Sequence, residues 1–148
     1  MRVFRIALCI LSCISLLACQ AGDDKGSESE MPVDGSADSW RSPTLHGELS
    51  FGQSHPAAFA DDALYHAWDF TLSDAASLVL QVENERDSFD TVMYLYRRSA
   101  ETQDWGSYLA RNDDWEGSLL SQLSQDLGAG QYRVMNKGDE QNRRGALA

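Results

Sequence analysis

Asn112, Asp113 and Asp114 place three oxygen-bearing side chains in one acidic turn, and Asp90 stands just ahead of an apolar run. Calcium takes about six to eight oxygen ligands, often from such loops with carbonyls and water completing the set. The spacing is not that of an EF-hand, and an Asn-Asp-Asp turn also hydrogen-bonds its own backbone. Ca2+ is therefore a candidate ion, with a plain turn as the alternative, and Asp61-Asp62 is a weaker candidate of the same kind. Trp105 and Trp115 flank the acidic turn with Tyr108 nearby. Aromatic rings beside carboxylates suit a carbohydrate or protein ligand; the alternative is that they cover the ends of the fold.

The three histidines, His46, His55 and His66, stand apart from any nucleophile elbow, HExxH pair or Gly-rich phosphate loop. His66 falls on the apolar face of its segment, where a hydrogen-bonded structural histidine is the simple expectation. Carboxylates abound in an acidic chain, so their presence says little about acid–base chemistry. No catalytic residue is assigned and the chain reads as non-enzymatic, with a hydrolase using acidic residues as an alternative.

The elements that must position these residues are mostly strands. In "LYHAWDFTL" Leu64, His66, Trp68, Phe70 and Leu72 alternate with Tyr65, Ala67, Asp69 and Thr71, the pattern of a half-buried strand. "ASLVLQV" continues the alternation, and "SDA" between the two reads as a hairpin turn. "TVMYLYR" is apolar on both faces, as a central strand would be. "LHGELSF", "SYLAR" and "QYRVMNK" add further candidates. "SLLSQLSQDLG" satisfies both a helical and an alternating pattern, and periodicity leaves it open. The expectation is six or seven strands.

Length and charge set the frame. The 148 residues are 43% hydrophobic, enough for one domain, and carry a formal charge of −11. Residues 1–18 hold Arg2, Arg5 and an apolar run from Ile6 to Ala18, the layout of a signal peptide too short to span a bilayer as a helix. Without Arg2 and Arg5 the chain keeps ten basic residues against 23 acidic, a charge of −13 that disfavours nucleic acid and anionic lipid surfaces. Residues 20–40 carry six carboxylates among Gly and Ser and read as a flexible linker with a reach of about 25 Å. The folded domain is expected over 41–148.

Leu16-Leu17-Ala18-Cys19 resembles the lipobox of bacterial lipoproteins. The resemblance implies a thiol bearing fatty-acyl chains such as palmitate, and an N-terminus held in the membrane; each buried methylene contributes about 0.8 kcal/mol. An ordinary secretory signal cleaved near Ala21 is the alternative. Cys9 and Cys13 leave with the signal, so Cys19 would be the sole mature thiol and no internal disulfide forms. Gln20 after the cysteine implies the outer membrane, where the bacterium has one.

"FDTVMYLYRR", "YLARNDDWEG", "SQLSQDLGAGQYRV" and the final "RRG", in that order after "YHAWDFTL", resemble the bacterial pre-peptidase C-terminal domain over roughly residues 45–145. The resemblance implies a jelly-roll-like β-sandwich and makes 121–127 a strand. It places Asp90, Asn112, Asp113, Asp114, Gly130 and Tyr132 on the family's pattern. It also implies a binding or interaction module, with an accessory or processing domain of a secreted peptidase system as the alternative. Two departures stand out. Asn136 takes an inward position where the family has an aliphatic residue, which buries a polar group in need of a partner. The chain also stops at Gly145-Ala-Leu-Ala, where the family's last apolar strand would begin, so an unpaired edge is expected that a partner covers, or the gene product is truncated.

Overall fold

Alternating apolar residues bury themselves by pairing strands into sheets, and this chain does so throughout. The structure is a computed structural model and describes residues 2–10, 42–59, 64–84, 90–117 and 119–138. Its strands are β1 (Arg2–Ile10), β2 (Thr44–Glu48), β3 (Ser54–Phe59), β4 (Tyr65–Leu72), β5 (Ala76–Asn84), β6 (Thr91–Arg97), β7 (Ala110–Asn112), β8 (Gln122–Leu127) and β9 (Gly130–Gly138). They form a four-stranded sheet in the order β3-β1-β5-β8 and a five-stranded sheet in the order β2-β4-β9-β6-β7. No helix occurs among the described residues, so none there is long and apolar enough to cross a membrane. The expected all-β, two-sheet class is what the chain adopts.

The ambiguous segment resolves as a strand. β8 sets Leu123 and Leu127 into the core, registered against Leu80 and Ala76 of β5, while Ser124 and Asp126 are exposed. Residues four apart lie on one face of a helix and also on one face of a strand, so only the waiting edge of β5 decides the outcome.

Three details differ from the expectations. Among the described residues after Arg41 there are eight strands, the additional one being β3, whose Pro56 masks it in the sequence. Proline is tolerated there because β3 is an edge strand paired on one side only. Ser73-Asp74-Ala75 is not a hairpin turn: β4 and β5 belong to different sheets, and the turn carries the chain from one to the other. Finally, Arg2–Ile10, read as part of an N-terminal address, forms β1, antiparallel to β3 on one side and β5 on the other.

The core between the sheets joins Trp68, Phe70, Met93, Leu95, Tyr132 and Val134 of one layer to Leu78, Leu80, Val82, Leu123 and Leu127 of the other. Trp68 is 1% exposed and is the largest of these side chains. A second cluster covers the outer face of the five-stranded sheet, with Leu64, Tyr65, Ala67, Tyr94, Tyr96 and Met135 beneath Trp105 and Tyr108. β4 is thus buried on both faces at its start, not half-buried as its alternation suggested.

Two buried polar sites contrast. Thr91 and Ser121 tie β6 to the start of β8: their hydroxyls lie 2.8 Å apart, and the Ser121 amide donates to Thr91 Oγ1 at 3.2 Å. Ser121 Oγ donates in turn to the Thr91 carbonyl at 2.5 Å, which uses the polar capacity of the pair. Asn136 is 0% exposed, and no protein group hydrogen-bonds its amide oxygen or nitrogen. A buried amide without a partner costs about 1–3 kcal/mol. Asn136→Leu is therefore expected to raise stability by about 1–3 kcal/mol in urea titrations, whereas Thr91→Val lowers it by stranding Ser121.

Candidate functional site

The 98–109 loop leaves β6 and folds over the outer face of the five-stranded sheet. Its turn is self-capped: Ser99 N–H donates to the Asp104 carbonyl at 2.8 Å, and Gln103 N–H to the Ser99 carbonyl at 3.0 Å. Gln103, at φ 64°, takes the left-handed conformation that closes it. Between this loop and the β8–β9 turn opens a cleft of about 670 Å3, lined among others by Arg97, Arg98, Thr102, Gln103, Trp105 and Gln131.

The two arginines are held by the backbone around them. Arg97 Nη2 donates to the Ala129 carbonyl at 2.9 Å. Arg98 Nε donates to the Gln103 carbonyl at 2.9 Å and its Nη1 to Gln131 Oε1 at 3.2 Å. Gly130 makes room for this arrangement: at φ 155° a Cβ there would stand 3.2 Å from Arg97 Nε. Tyr132, two residues on, donates its hydroxyl to the Gly128 carbonyl at 2.8 Å and pins the β8–β9 turn.

Trp105 is the one predicted aromatic that lines the cleft. It is half-buried, with the Arg133 guanidinium 4.2 Å and that of Arg98 5.8 Å from its ring centre. Arg133 is fixed by a forked pair with Asp69, its register partner on β4, through contacts of 2.7 and 2.9 Å. Tyr108 does not reach the cleft; it packs edge-on against Tyr94, with ring centres 5.7 Å apart. Trp115 is half-buried in the turn after β7 and is likewise outside the cleft lining. Burial beside Tyr94, Tyr108 and Tyr65 pushes the Tyr96 hydroxyl above the ordinary tyrosine range, so it stays protonated under the sheet's covering loop.

The acidic candidates do converge. Asp90, Asp113 and Asp114 line a small cavity of about 170 Å3 with Val92 and Lys137. Lys137 shares the cavity wall, and Arg111 Nη2 lies 3.0 Å from Asp113 Oδ2. Asn112 turns elsewhere, its Oδ1 accepting the Gln122 amide at 3.1 Å and tying the β7 turn to β8. Among the described residues, no group of three or more His, Cys, Asp or Glu is arranged to hold a metal ion. Cys19, the 20–40 linker, Asp61 and Asp62, and residues 139–148 lie outside the described residues.

Sequence reasoning missed a histidine pair. A register shift between Leu45 and Glu48, with Gly47 at φ 92°, lets edge strand β2 present His46 to β4. His46 Nε2 lies 2.7 Å from His66 Nδ1, and the His46 ring stacks on Trp68 with centres 4.7 Å apart. His66, 2% exposed, is thus the hydrogen-bonded structural residue its pattern suggested. His55 serves the next turn, its Nε2 accepting the Ser50 amide at 3.0 Å. The parallel pairing of β2 with β4 brings His46 and His66, 20 apart, together, and nothing in local periodicity signals it.

Compared with models of known protein families, with curated proteins and with solved structures, the chain matches none.

His46 lies on the exposed edge strand β2, and the partial cover that Trp68 and His66 give its ring lowers its pKa below the ordinary 6.5. The unfolded chain then binds the proton more readily than the native one, so stability conferred by the histidine pair is complete above pH 6.5 and is lost as pH falls through and below it. Urea midpoints measured between about pH 8 and about pH 5.5 are expected to decline, and His46→Gln to flatten that decline.

Proposed function

We propose that this protein is a non-enzymatic binding module of the bacterial cell envelope, attached through lipid on Cys19 at the outer membrane and built on a pre-peptidase C-terminal-like domain. The cleft between the 98–109 loop and the β8–β9 turn carries this reading. Its volume of about 670 Å3 falls within the usual range of ligand sites, and Arg97 and Arg98 bring two guanidinium groups to it in a chain of charge −11. Guanidinium forks match the geometry of a carboxylate. The side-chain amides of Gln103 and Gln131 and the hydroxyl of Thr102 add neutral hydrogen-bonding groups beside them, and Asp104 is the single acid of the lining against the two arginines. A carboxylate-bearing saccharide or peptide is the ligand chemistry this lining suits.

The 20–40 linker supports the same picture. It carries the domain about 25 Å from an acylated N-terminus, far enough to present the cleft beyond the lipid headgroups. Its six carboxylates keep it solvated and away from an anionic surface.

Titration of an oligogalacturonate and of an oligoglutamate peptide is expected to perturb the Trp105 indole and Gln131 amide signals. Arg97→Gln and Arg98→Gln should each weaken binding about tenfold, with little change in thermal midpoint for Arg97, whose side chain is exposed, and a small fall for Arg98, whose half-buried side chain also ties Gln103 to Gln131. Failure of both probes, or binding indifferent to Arg97→Gln, overturns the assignment of the cleft. Labelled palmitate should be incorporated by the wild-type chain and not by Cys19→Ser; an unlabelled wild-type product released from cells overturns the anchor.

A further inference from the structure

β3 is tied into its sheet through β1 alone. On one side, β1 registers Arg2 to Ala7 against Phe59 to Ser54 of β3; on the other, it registers Phe4 to Ile10 against Asn84 to Leu78 of β5. Under the lipoprotein reading proposed above, Arg2–Ile10 belongs to the segment removed on export. Its removal strips β3 of its only strand neighbour and leaves β5 with an unpaired row of backbone donors and acceptors. Those amides belong to the part of β5 that sets Leu78, Leu80 and Val82 into the core.

The geometry of the opening selects what can fill it. β3 and β5 both run antiparallel to β1 and hence parallel to each other, two strand spacings, or about 9.6 Å, apart. One extended strand fits between them. Direct closure would need β3 to slide across the sheet and adopt the slanted parallel hydrogen-bond pattern. The positions that register opposite Leu78, Leu80 and Val82 are Ile10, Leu8 and Ile6, so the occupant is apolar at alternate residues.

Neither segment flanking the described strands has an alternately apolar stretch of charge-free residues to offer. Residues 20–40 carry six carboxylates among Gly and Ser, and residues 139–148 carry Asp139, Glu140, Arg143 and Arg144. A second processed copy lacks the apolar segment as well. We infer that the slot between β3 and β5 is a strand-acceptor site that takes an extended, alternately apolar strand from another polypeptide, antiparallel to both neighbours. Main-chain hydrogen bonds supply the affinity and the alternate side-chain positions the selectivity, as in other strand-addition complexes. The inference rests on the lipoprotein reading, because only export processing vacates the slot.

The test uses the full chain expressed in bacteria and extracted from the envelope, with its N-terminus defined by mass spectrometry. A nonapeptide of the Arg2–Ile10 sequence carrying Cys9→Ser is then added, and hydrogen exchange is followed residue by residue. Val82 N–H donates to the Ser121 carbonyl on the β8 side, so the alternate amides of Val79 and Gln81 are the ones that face the slot, with His55 and Ala57 opposite them on β3. Exchange at His55, Ala57, Val79 and Gln81 is expected to slow about tenfold or more, while the amides of β9 hold their rate. The same peptide with alternate backbone nitrogens methylated should give no protection. Processed protein whose Val79 and Gln81 amides are already protected without peptide, through closure of the slot or a dimer seen in sedimentation, overturns the proposal and leaves the anchor reading standing. So does an absence of peptide protection. A retained N-terminus overturns both.

Discussion

Burial of both faces of the five-stranded sheet is the constraint on which the rest of the molecule depends. β9 runs between β4 and β6, with Tyr132 and Val134 turned to the core between the sheets and Met135 to the outer cluster. An outer face that carries Tyr65, Tyr94 and Tyr96 has to be shielded from water, and the 98–109 loop is the segment that does it. The cleft is a consequence: where the loop leaves the sheet and returns, its far side and the β8–β9 turn do not meet.

Charge follows the same plan. Every arginine and lysine among the described residues after β1 (Arg97, Arg98, Arg111, Arg133 and Lys137) has its cationic group 4.2 to 5.9 Å from the centre of an aromatic ring. Such contacts contribute about 0.5–1 kcal/mol each at exposed sites, and they gather the few cations of an acidic chain onto one sheet. The forked Asp69–Arg133 pair under Trp105 joins this layer to β4. Of the carboxylates that line the small cavity beside β7, Asp113 is paired with Arg111.

The four-stranded sheet is built differently. β5 pairs with β8 on one side, and that half is welded to the opposite layer by leucine packing and by the Thr91–Ser121 hydrogen bonds. Its other half, β1 and β3, depends on an apolar strand whose sequence has the character of an export signal.

Much of the fold was legible in residue types. Alternation in 64–72 and 76–84, the two-sided apolar run in 91–97 and the inward polar position of Asn136 all describe what a strand must present to a core, and a period of two reports that directly. The cleft was legible only through Trp105; Arg97 and Arg98 look like solvated charges in the sequence, and a strand end followed by a folded-back loop makes them line a concave site. The meeting of Asp90 with Asp113 and Asp114, the His46–His66 pair across a bulge, the passage of β4 to β5 between sheets and the strand hidden behind Pro56 were decided by the tertiary structure. Each depends on which edge a strand finds and where a loop folds back, and those are properties of long-range packing that local pattern does not encode.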